Sequence, residues 1–463
     1  MTVLAPAIPV ADAPPAALGG AVAVLPGHGR RHAVACEARL LAVIGLVLLV
    51  LVGVAARPGA GRAVVPLLQQ GIAVGAGGRV QPVSENDRLV PGTRVLADAP
   101  DAPALVAAQR AWLATGTVPR VPELGASTMI SDALLDLDLL SAGHRAATAG
   151  WDGPWAYVWP RDSAFVAVAL ARTGHPAEAL STLAYLEHVQ GSDGSFQARY
   201  LPDRSTTPDA RRAQLDGTGW AAWALDQTAT TLPGPAARAL LDQRRALLTR
   251  STSLLLARTA GPGFPVSSDY WEVDEHRPTL ATSAVLLAGL TSAAACWNRL
   301  GDHATAARLT ARAVAFRARL VGTATPGFGR HLGDPAGTAD LGLAFLLPPF
   351  APATAGPGPV LPAWRTSLAT MARPSGGLAP GGGWKSDGIS WTPTTATEAM
   401  TAAALGDRAE AVRLLRWIDA HRTAQGAIPE KVLWNGQPAS VAPLGWSAAA
   451  VVITATELAG TAS

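Results

Sequence analysis

Residues 162–189 read DSAFVAVALARTGHPAEALSTLAYLEHV, two stretches rich in small and apolar residues that a few residues separate. In each stretch the apolar side chains recur three and four residues apart, the spacing that places them on one face of an α-helix. The break contains a glycine and a proline, which end helices and begin turns. A connection this short joins helices that lie antiparallel and side by side. The stretch therefore predicts a helix pair, 162–173 and 176–189.

The same texture runs from about residue 102 to the end of the chain, and strand patterns nearly vanish there. Longer connections rich in glycine and tryptophan follow every second helix. Helix pairs joined in this way bury their apolar faces by closing into a ring, so we predict an all-α chain built as an α/α toroid. The other predicted helices cover residues 103–115, 129–146, 214–230, 234–258, 277–299, 302–320, 338–347, 360–372, 393–405, 407–422 and 442–459.

An apolar segment near the N-terminus, residues 40–56, has no charged or hydrogen-bonding side chain. As a helix it reaches roughly 25 Å, close to the hydrocarbon thickness of a bilayer. Arginines flank it on both sides, and their weak bias places the N-terminus inside the cell. We expect a single-pass membrane anchor with the rest of the chain outside. The alternatives are a cleaved secretory signal, which would leave the protein secreted, and a buried core helix.

These patterns divide the chain into four parts. Residues 1–38 are rich in Ala, Pro and Gly and predict a disordered tail. Residues 39–58 contain the anchor or signal segment. Short apolar runs alternate with glycine and proline over 59–100, which indicates an irregular linker or a small β-containing segment. The helical domain is then expected to cover 101–463.

The composition excludes several classes of function. Hydrophobic residues make up 49% of the chain and charged residues 15%, as in a globular protein. A formal net charge of +3 over 463 residues supplies no dense basic face, so no nucleic-acid partner is expected. Cys36 and Cys296 lie on opposite sides of the apolar segment, which argues against a disulfide. His28 and His32 have the spacing of zinc ligands but lack the glutamate of a zinc-protease helix, and we expect no metal and no cofactor.

Residues 157–162, YVWPRD, combine aromatic side chains with an arginine and an aspartate. Such a pair can bind two vicinal sugar hydroxyls, with Arg161 donating and Asp162 accepting. Tyr157 and Trp159 can pack on the C–H face of the sugar ring. The alternative is a helix start capped by Asp162. Capping requires neither the arginine nor the aromatic residues, so sugar binding is the preferred interpretation.

Cleaving a glycosidic bond by inversion requires two carboxyl groups, one to protonate the leaving oxygen and one to activate a water. Glu272 and Glu430 are the candidates. Trp271 precedes Glu272 and is placed to supply the apolar wall that raises the pKa of a general acid. Pro429 fixes the backbone before Glu430. Loop carboxylates are more often surface charges, and Glu272 has three competitors nearby: Asp269, Asp274 and Glu275.

In order, spacing and local texture these motifs resemble glycoside hydrolase family 15, the glucoamylase-like enzymes. That family includes glucoamylases, glucodextranases and bacterial α,α-trehalases. The resemblance covers roughly residues 120–460, and its anchors are 157–162, 214–217 (QLDG), 271–272, 429–430 and 444–447 (LGWS).

The resemblance implies an (α/α)6 barrel that releases β-glucose from α-linked glucosides by inversion, without a metal or other cofactor. It implies that Glu272 is the general acid and Glu430 the general base. It also implies that Arg161 and Asp162 bind the glucose at the non-reducing end, that Trp271 and Trp446 line the subsite of this sugar, and that Asp216 matches a polar substrate-binding residue near the cleft.

Two positions depart from the family pattern. Val273 stands where many relatives have a second acidic residue, and Lys431 stands where bacterial relatives commonly have glutamine. The lysine cation either holds Glu430 ionised or points to solvent. Three hypotheses for the function therefore stay open. The protein is an exo-acting hydrolase of α-linked glucans, a trehalase or dextran glucosidase of the same fold, or a non-catalytic glycan-binding protein of the cell surface.

Overall fold

The structure is a computed structural model that describes residues 64–143, 146–203, 207–352 and 358–460. The predicted tail, 1–38, and the predicted membrane segment, 39–58, lie outside the described residues. The described part belongs to one compact unit, Gly61–Ser463.

Helices dominate the described residues. The α-helices are α1 Ala102–Thr115, α2 Met129–Ser141, α3 Pro160–Arg172, α4 Pro176–Val189, α5 Asp216–Thr230, α6 Gly234–Gln243, α7 Arg245–Arg258, α8 Leu280–Leu300, α9 His303–Ala324, α10 Val360–Met371, α11 Thr392–Ala404, α12 Arg408–Ala420 and α13 Gly445–Gly460.

Three predicted helices differ most from the structure in extent or type, and the ends of the others agree to within four residues. The predicted helix 234–258 is divided into α6 and α7 because Arg244 leaves helical geometry, with φ −105° and ψ 24°. The segment predicted over 338–347 is a short 3-10 helix, Leu341–Leu346, whose first turn is capped by the Asp340 carboxylate accepting from the Gly342 N–H. Helix α2 stops at Ser141, five residues before the predicted end.

The connection between α8 and α9 shows how local chemistry makes a helix pair. Gly301 follows α8 in the left-handed conformation, with φ 85°, which glycine adopts without a steric penalty. Asp302 then caps α9 by accepting from the N–H of Thr305 at 3.0 Å. The chain therefore reverses within two residues, as the sequence predicted.

The inner members of the structure form a closed ring. Helix α13 packs against α3, α3 against α5, and α5 against α8; α8 contacts the 3-10 segment Leu341–Leu346, which contacts α11, and α11 returns to α13. The outer helices α2, α4, α7, α9, α10 and α12 each pack on the outside of this ring. The predicted all-α toroid of helix pairs, (α/α)6, is confirmed.

Helix α8 runs through the protein interior. It is long and apolar enough to cross a membrane, but 89% of its most apolar window is buried inside the protein, and no other helix of the described ranges passes that test. Glycines let it approach α5 closely, since a Cβ added at Gly289 would lie 2.7 Å from the Cα of Gly219. Larger residues at this crossing would push the two inner helices apart.

Two small sheets accompany the helices. Strands β1, Gly71–Val74, and β2, Val80–Val83, form an antiparallel hairpin in the predicted linker. A three-stranded sheet of very short strands contains β3, Ser390–Trp391, β4, Lys431–Val432, and β5, Pro438–Ala439. This second sheet ties together the connections that precede α11 and α13.

Candidate active site

A cavity of about 220 Å³ opens where the inner helices α3, α11 and α13 begin. The loops that precede these helices and α8 complete its wall. It brings together residues from motifs that are far apart in sequence. The predicted site residues that line it are Trp159, Arg161, Asp162, Trp271, Glu272, Glu430 and Trp446.

Arg161 connects three carboxylates at the base of the cavity. Its Nη1 lies 3.2 Å from Oδ2 of Asp216, its Nη2 3.1 Å from Oε1 of Glu272, and its Nε 3.6 Å from Oδ2 of Asp162. Its guanidinium also lies 5.0 Å from the ring centroid of Trp446. Burial opposes the positive charge, but the three carboxylates outweigh burial and raise the pKa of Arg161 above its ordinary value.

The two aspartates beside Arg161 are themselves buried. Burial raises the pKa of Asp162 to about 6, an effect that the positive charge of Arg161 partly offsets. Burial likewise raises the pKa of Asp216 to about 6. Asp216 does not line the cavity, because it lies behind Arg161 and acts on it through the ion pair.

Glu272 sits in a polar pocket. Its Oε1 accepts from Arg161, and its Oε2 accepts from Arg211 Nη1 at 2.8 Å and from Gln214 Nε2 at 3.2 Å. Trp271 lines the same cavity, and its indole ring stacks on the guanidinium of Arg330, 3.9 Å from ring centroid to Cζ. The guanidinium groups of Arg161 and Arg211 thus flank the Glu272 carboxylate.

The backbone of Glu272 is strained. Its φ is 54°, in the left-handed region that costs roughly 1–2 kcal/mol for a residue with a Cβ. Its N–H donates to the carbonyl of Asp269 at 2.9 Å, which closes a tight turn. Strain of this kind is concentrated at functional sites, because the surrounding structure must hold the residue there.

A buried arginine holds the loop that carries Glu272. Arg330 lies 2.9 Å from carboxylate oxygens of both Asp269 and Asp340, and it also pairs with Glu275. Two of the competing carboxylates are thereby ion-paired to Arg330 and do not line the cavity, and the third, Asp274, is exposed. Of the four acidic residues in this loop, Glu272 is the one that lines the cavity.

Glu430 reaches the same cavity from the segment just before β4. Its Oε2 accepts from the Ser440 hydroxyl at 2.5 Å and lies 3.0 Å from Lys431 Nζ. The lysine side chain is only 16% exposed, and its Nζ lies 4.3 Å from the ring centroid of Trp391. Of the two alternatives for Lys431, the structure therefore has the one in which the cation faces Glu430.

Tyr157 contributes only indirectly. It does not line the cavity; its ring packs on Arg199, with 4.7 Å from ring centroid to Cζ. Arg199 lines the cavity and also packs on Trp159 at 5.1 Å. Tyr270 takes a place on the wall instead, where its hydroxyl donates to the carbonyl of Pro380 at 2.8 Å.

Several lining residues were not predicted from the sequence. Trp155 and Tyr270 stand beside the motifs at 157–162 and 271–272, whereas the others come from loops whose positions depend on the ring as a whole. Trp384 follows a run of glycines, and its ring meets that of Trp271 edge-to-face, with centroids 4.6 Å apart. The unpredicted residues with polar or aromatic side chains are Trp155, Arg199, Arg211, Tyr270, Trp384, Trp391 and Thr394.

Several residues that line the cavity have buried polar atoms without a hydrogen-bond partner within the described part of the protein. Such buried atoms are rare in folded proteins. They include Nε of Arg161, Oδ2 of Asp162, and the indole nitrogens of Trp159, Trp271, Trp384, Trp391 and Trp446. The six tryptophans that line the cavity provide aromatic rings on which a sugar can pack.

A wider groove of about 1000 Å³ adjoins the cavity on the Glu272 side. The two share the side chains of Trp271, Glu272, Trp384 and Trp391. The groove is thus an open extension of the cavity, with Glu272 at the junction. Among the described residues no cluster of three or more His, Cys, Asp or Glu is arranged to hold a metal ion.

Comparisons with known proteins concern the fold. No protein-family model matches the sequence, and no curated protein does. Among solved structures, a wild-type glycosidase matches with a TM-score of 0.59 and 23% identity over 71% of this chain and 96% of its own. A bacterial glucoamylase complexed with acarbose matches with a TM-score of 0.59 and 19% identity, over 75% of this chain and 57% of its own.

The glucoamylase from Saccharomycopsis fibuligera matches with a TM-score of 0.53 and 13% identity, over 78% of this chain and 95% of its own. All three neighbours combine low identity with alignment over most of the helical domain. The chain therefore has the helical-toroid fold of these glycosidases and glucoamylases.

Proposed function

We propose that the protein is an inverting, exo-acting glycoside hydrolase that releases β-glucose from the non-reducing end of α-glucans or small α-glucosides. One observation carries the proposal: two carboxylates, Glu272 and Glu430, line one cavity together with Arg161, Asp162 and six tryptophans. The likeness in fold to glycosidases and glucoamylases supports it.

In this proposal Arg161 and Asp162 bind neighbouring hydroxyls of the terminal glucose. The Arg161 guanidinium donates and the Asp162 carboxylate accepts; both side chains line the cavity. The ring of Trp446 provides an apolar face beside them. The terminal sugar is thereby oriented with its scissile bond toward Glu272.

Glu272 is proposed to donate a proton to the leaving oxygen, and Glu430 to remove a proton from the attacking water. Arg211 is the more exposed of the two guanidinium groups on Glu272, at 41% of its side chain against 6% for Arg161. An arriving sugar can therefore displace Arg211 while Arg161 stays in place. Ser440 and Lys431 hold Glu430 in a fixed orientation.

The shape of the site supports exo-action. The ion pair between Arg161 and Asp216 closes the cavity at its base, whereas the wide groove leads away from Glu272. A chain bound with its terminal sugar at the base would extend through the groove. The location outside the cell, through a membrane anchor at 40–56 or by secretion, stays a prediction from the sequence.

The test is proton NMR of the anomer first formed from maltose, maltotetraose, isomaltose and trehalose. We expect initial β-glucose from at least one of these sugars. Glu272→Gln and Glu430→Gln should each lower the rate roughly 10²–10⁴-fold, the usual contribution of a general acid or base. Asp274→Asn is the matched control, because this exposed carboxylate belongs to the same loop and lies outside the cavity.

The panel also distinguishes the alternatives. Turnover of trehalose or isomaltose in place of maltose would identify a trehalase or a dextran glucosidase of the same fold. Release of the glucose at the non-reducing end of maltose, maltotetraose or isomaltose as the α-anomer would contradict inversion. Trehalose should give one α- and one β-glucose, because the leaving sugar keeps its α configuration. If the sugars bind but are not hydrolysed, the protein would be a non-catalytic glycan-binding protein.

A further inference from the structure

The first described residues of the chain lie against the loop that holds Glu430. We refer to residues 66–68 as the N-terminal strap. The strap forms a parallel β-bridge between Leu67 and Ser440. Next to it, Val65 packs on the apolar cluster of Ile389, Leu433 and Ala439, beside the three-stranded sheet. A segment distant in sequence from Glu430 thus contacts Ser440, the residue that hydrogen-bonds the Glu430 carboxylate.

The strap satisfies both backbone polar groups of Ser440. The Ser440 N–H donates to the carbonyl of Pro66 at 2.9 Å, and the Ser440 carbonyl accepts from the N–H of Leu68 at 2.9 Å. Ser440 is 2% exposed, so water does not readily replace these bonds. The backbone orientation of Ser440 is therefore coupled to the strap.

Ser440 is also held in an unusual conformation. Its φ is 68°, in the left-handed region that residues with a Cβ rarely adopt, and the surrounding contacts must keep it there. In this conformation its hydroxyl donates to Oε2 of Glu430. The β4–β5 pairing, in which Lys431 lies opposite Ala439, and the bond from the Glu430 N–H to the Val441 carbonyl place the two residues side by side.

We propose that the N-terminal strap is a positioning element for the general base: Pro66 and Leu68 orient Ser440, and the Ser440 hydroxyl orients Glu430. The inference rests on the proposed function, since it assigns the base role to Glu430. The inference adds that residues outside the helical ring control the orientation of Glu430, the residue proposed to activate the water. Ser440 and the strap are positioning residues, because neither lines the cavity.

The experiment removes one hydrogen bond of the strap in the full-length protein. Leu68→Pro deletes the N–H that donates to Ser440, and Leu68→Ala is the matched control that keeps it. The Leu68 side chain is 43% exposed, so either change is tolerated by packing. We expect kcat to fall about three- to tenfold in Leu68→Pro, the effect of one hydrogen bond, with KM within about twofold. Leu68→Ala should retain the kcat of the unmodified protein.

A second measurement does not depend on turnover. Hydrogen exchange of the Ser440 amide should be faster in Leu68→Pro than in Leu68→Ala, because the strap no longer pins this residue. Ser440→Ala, which removes the hydroxyl and leaves the strap intact, should reproduce the loss in kcat without faster exchange of the Leu67 and Leu68 amides.

The outcomes separate this inference from the proposed function. If the unmodified protein is active and the two Leu68 variants have the same kcat, the strap does not position the base. If the unmodified protein hydrolyses no sugar, the proposed function fails and the base role fails with it. Equal exchange of the Ser440 amide in both variants would show that the strap does not hold Ser440 at all.

Discussion

Arg161 illustrates how much one residue contributes to this site. A single buried guanidinium contacts Asp162, Asp216 and Glu272, and so joins the first turns of α3 and α5 to the loop before α8. Its planar fork directs separate N–H groups at separate carboxylates, which a lysine ammonium at the end of a flexible chain does not reproduce. The planar shape of the Arg161 side chain therefore matters for these contacts in addition to its charge.

Arg161→Lys should consequently lower kcat/KM about 10²-fold. At least one charge-assisted hydrogen bond is lost, worth roughly 1.5–3 kcal/mol, and about 1.4 kcal/mol corresponds to a factor of ten. Steady-state kinetics on the best sugar of the panel provides the measurement. Arg172→Lys is the control at the other end of α3, where Arg172 pairs with Glu457 and Gln227 away from the cavity. Equal losses in both variants would contradict a specific role for Arg161.

At the scale of elements, an ion pair fastens the N-terminal segment to the ring. Arg94, in the segment between β2 and α1, is buried with its Nε 2.6 Å from Oδ1 of Asp136 on α2. It also donates to the carbonyls of Gln425 and Gly426 in the loop after α12. Burial raises the pKa of Asp136 to about 6, although the charge of Arg94 acts in the opposite direction.

We expect Arg94→Met to reduce the free energy of unfolding by about 3–5 kcal/mol, because it leaves the Asp136 carboxylate buried without its partner. Denaturant unfolding followed by circular dichroism measures the change. The double variant Arg94→Met, Asp136→Leu should recover most of the loss, since the unpaired Asp136 charge is gone and the neighbouring Asp132 keeps its ion pair with Arg422 at 2.9 Å. A double variant as unstable as the single one would show that packing of the Arg94 side chain, and not its charge, matters.

At the scale of the whole molecule, the ring contains a carboxyl group far from water. Glu398 lies in the inner helix α11, is fully buried, and its Oε2 accepts from the indole N–H of Trp364 on α10 at 2.6 Å. Burial raises its pKa from the ordinary 4.5 to about 8, and the Trp364 hydrogen bond only partly offsets this. The folded protein therefore keeps a proton that the unfolded chain releases at a lower pH.

This difference makes folding stability fall as pH rises from about 5 to about 8, by on the order of 1 kcal/mol per pH unit. Glu398→Gln keeps a neutral acceptor for Trp364 and should remove that contribution. Thermal unfolding at pH 6 and pH 8 tests this contribution. The stability of Glu398→Gln relative to the unmodified protein should be greater at pH 8 than at pH 6. Glu85→Gln, at an exposed position, should leave the pH dependence as it was. If Glu398→Gln keeps the same dependence of stability on pH as the unmodified protein, Glu398 is not its source.

The sequence by itself determined the helical ring and indicated the candidate site residues Arg161, Glu272 and Glu430. Apolar spacing and the glycine and proline breaks are local properties, and they located nearly every helix of the described residues to within a few positions. The motifs around Arg161, Glu272 and Glu430 were recognisable for the same reason, since each is contiguous in the chain. The break at Arg244 was missed because no glycine or proline marks it.

Only the tertiary structure decided which side chains meet. The ion pairs of Arg330 exclude Asp269 and Glu275 from the cavity, Tyr157 turns to Arg199, and the strap reaches Ser440. These contacts join residues from separate loops whose relative positions depend on closure of the whole ring. Local periodicity specifies how a segment folds, but it holds no information about which distant charge neutralises a carboxylate or which distant backbone group satisfies a buried amide.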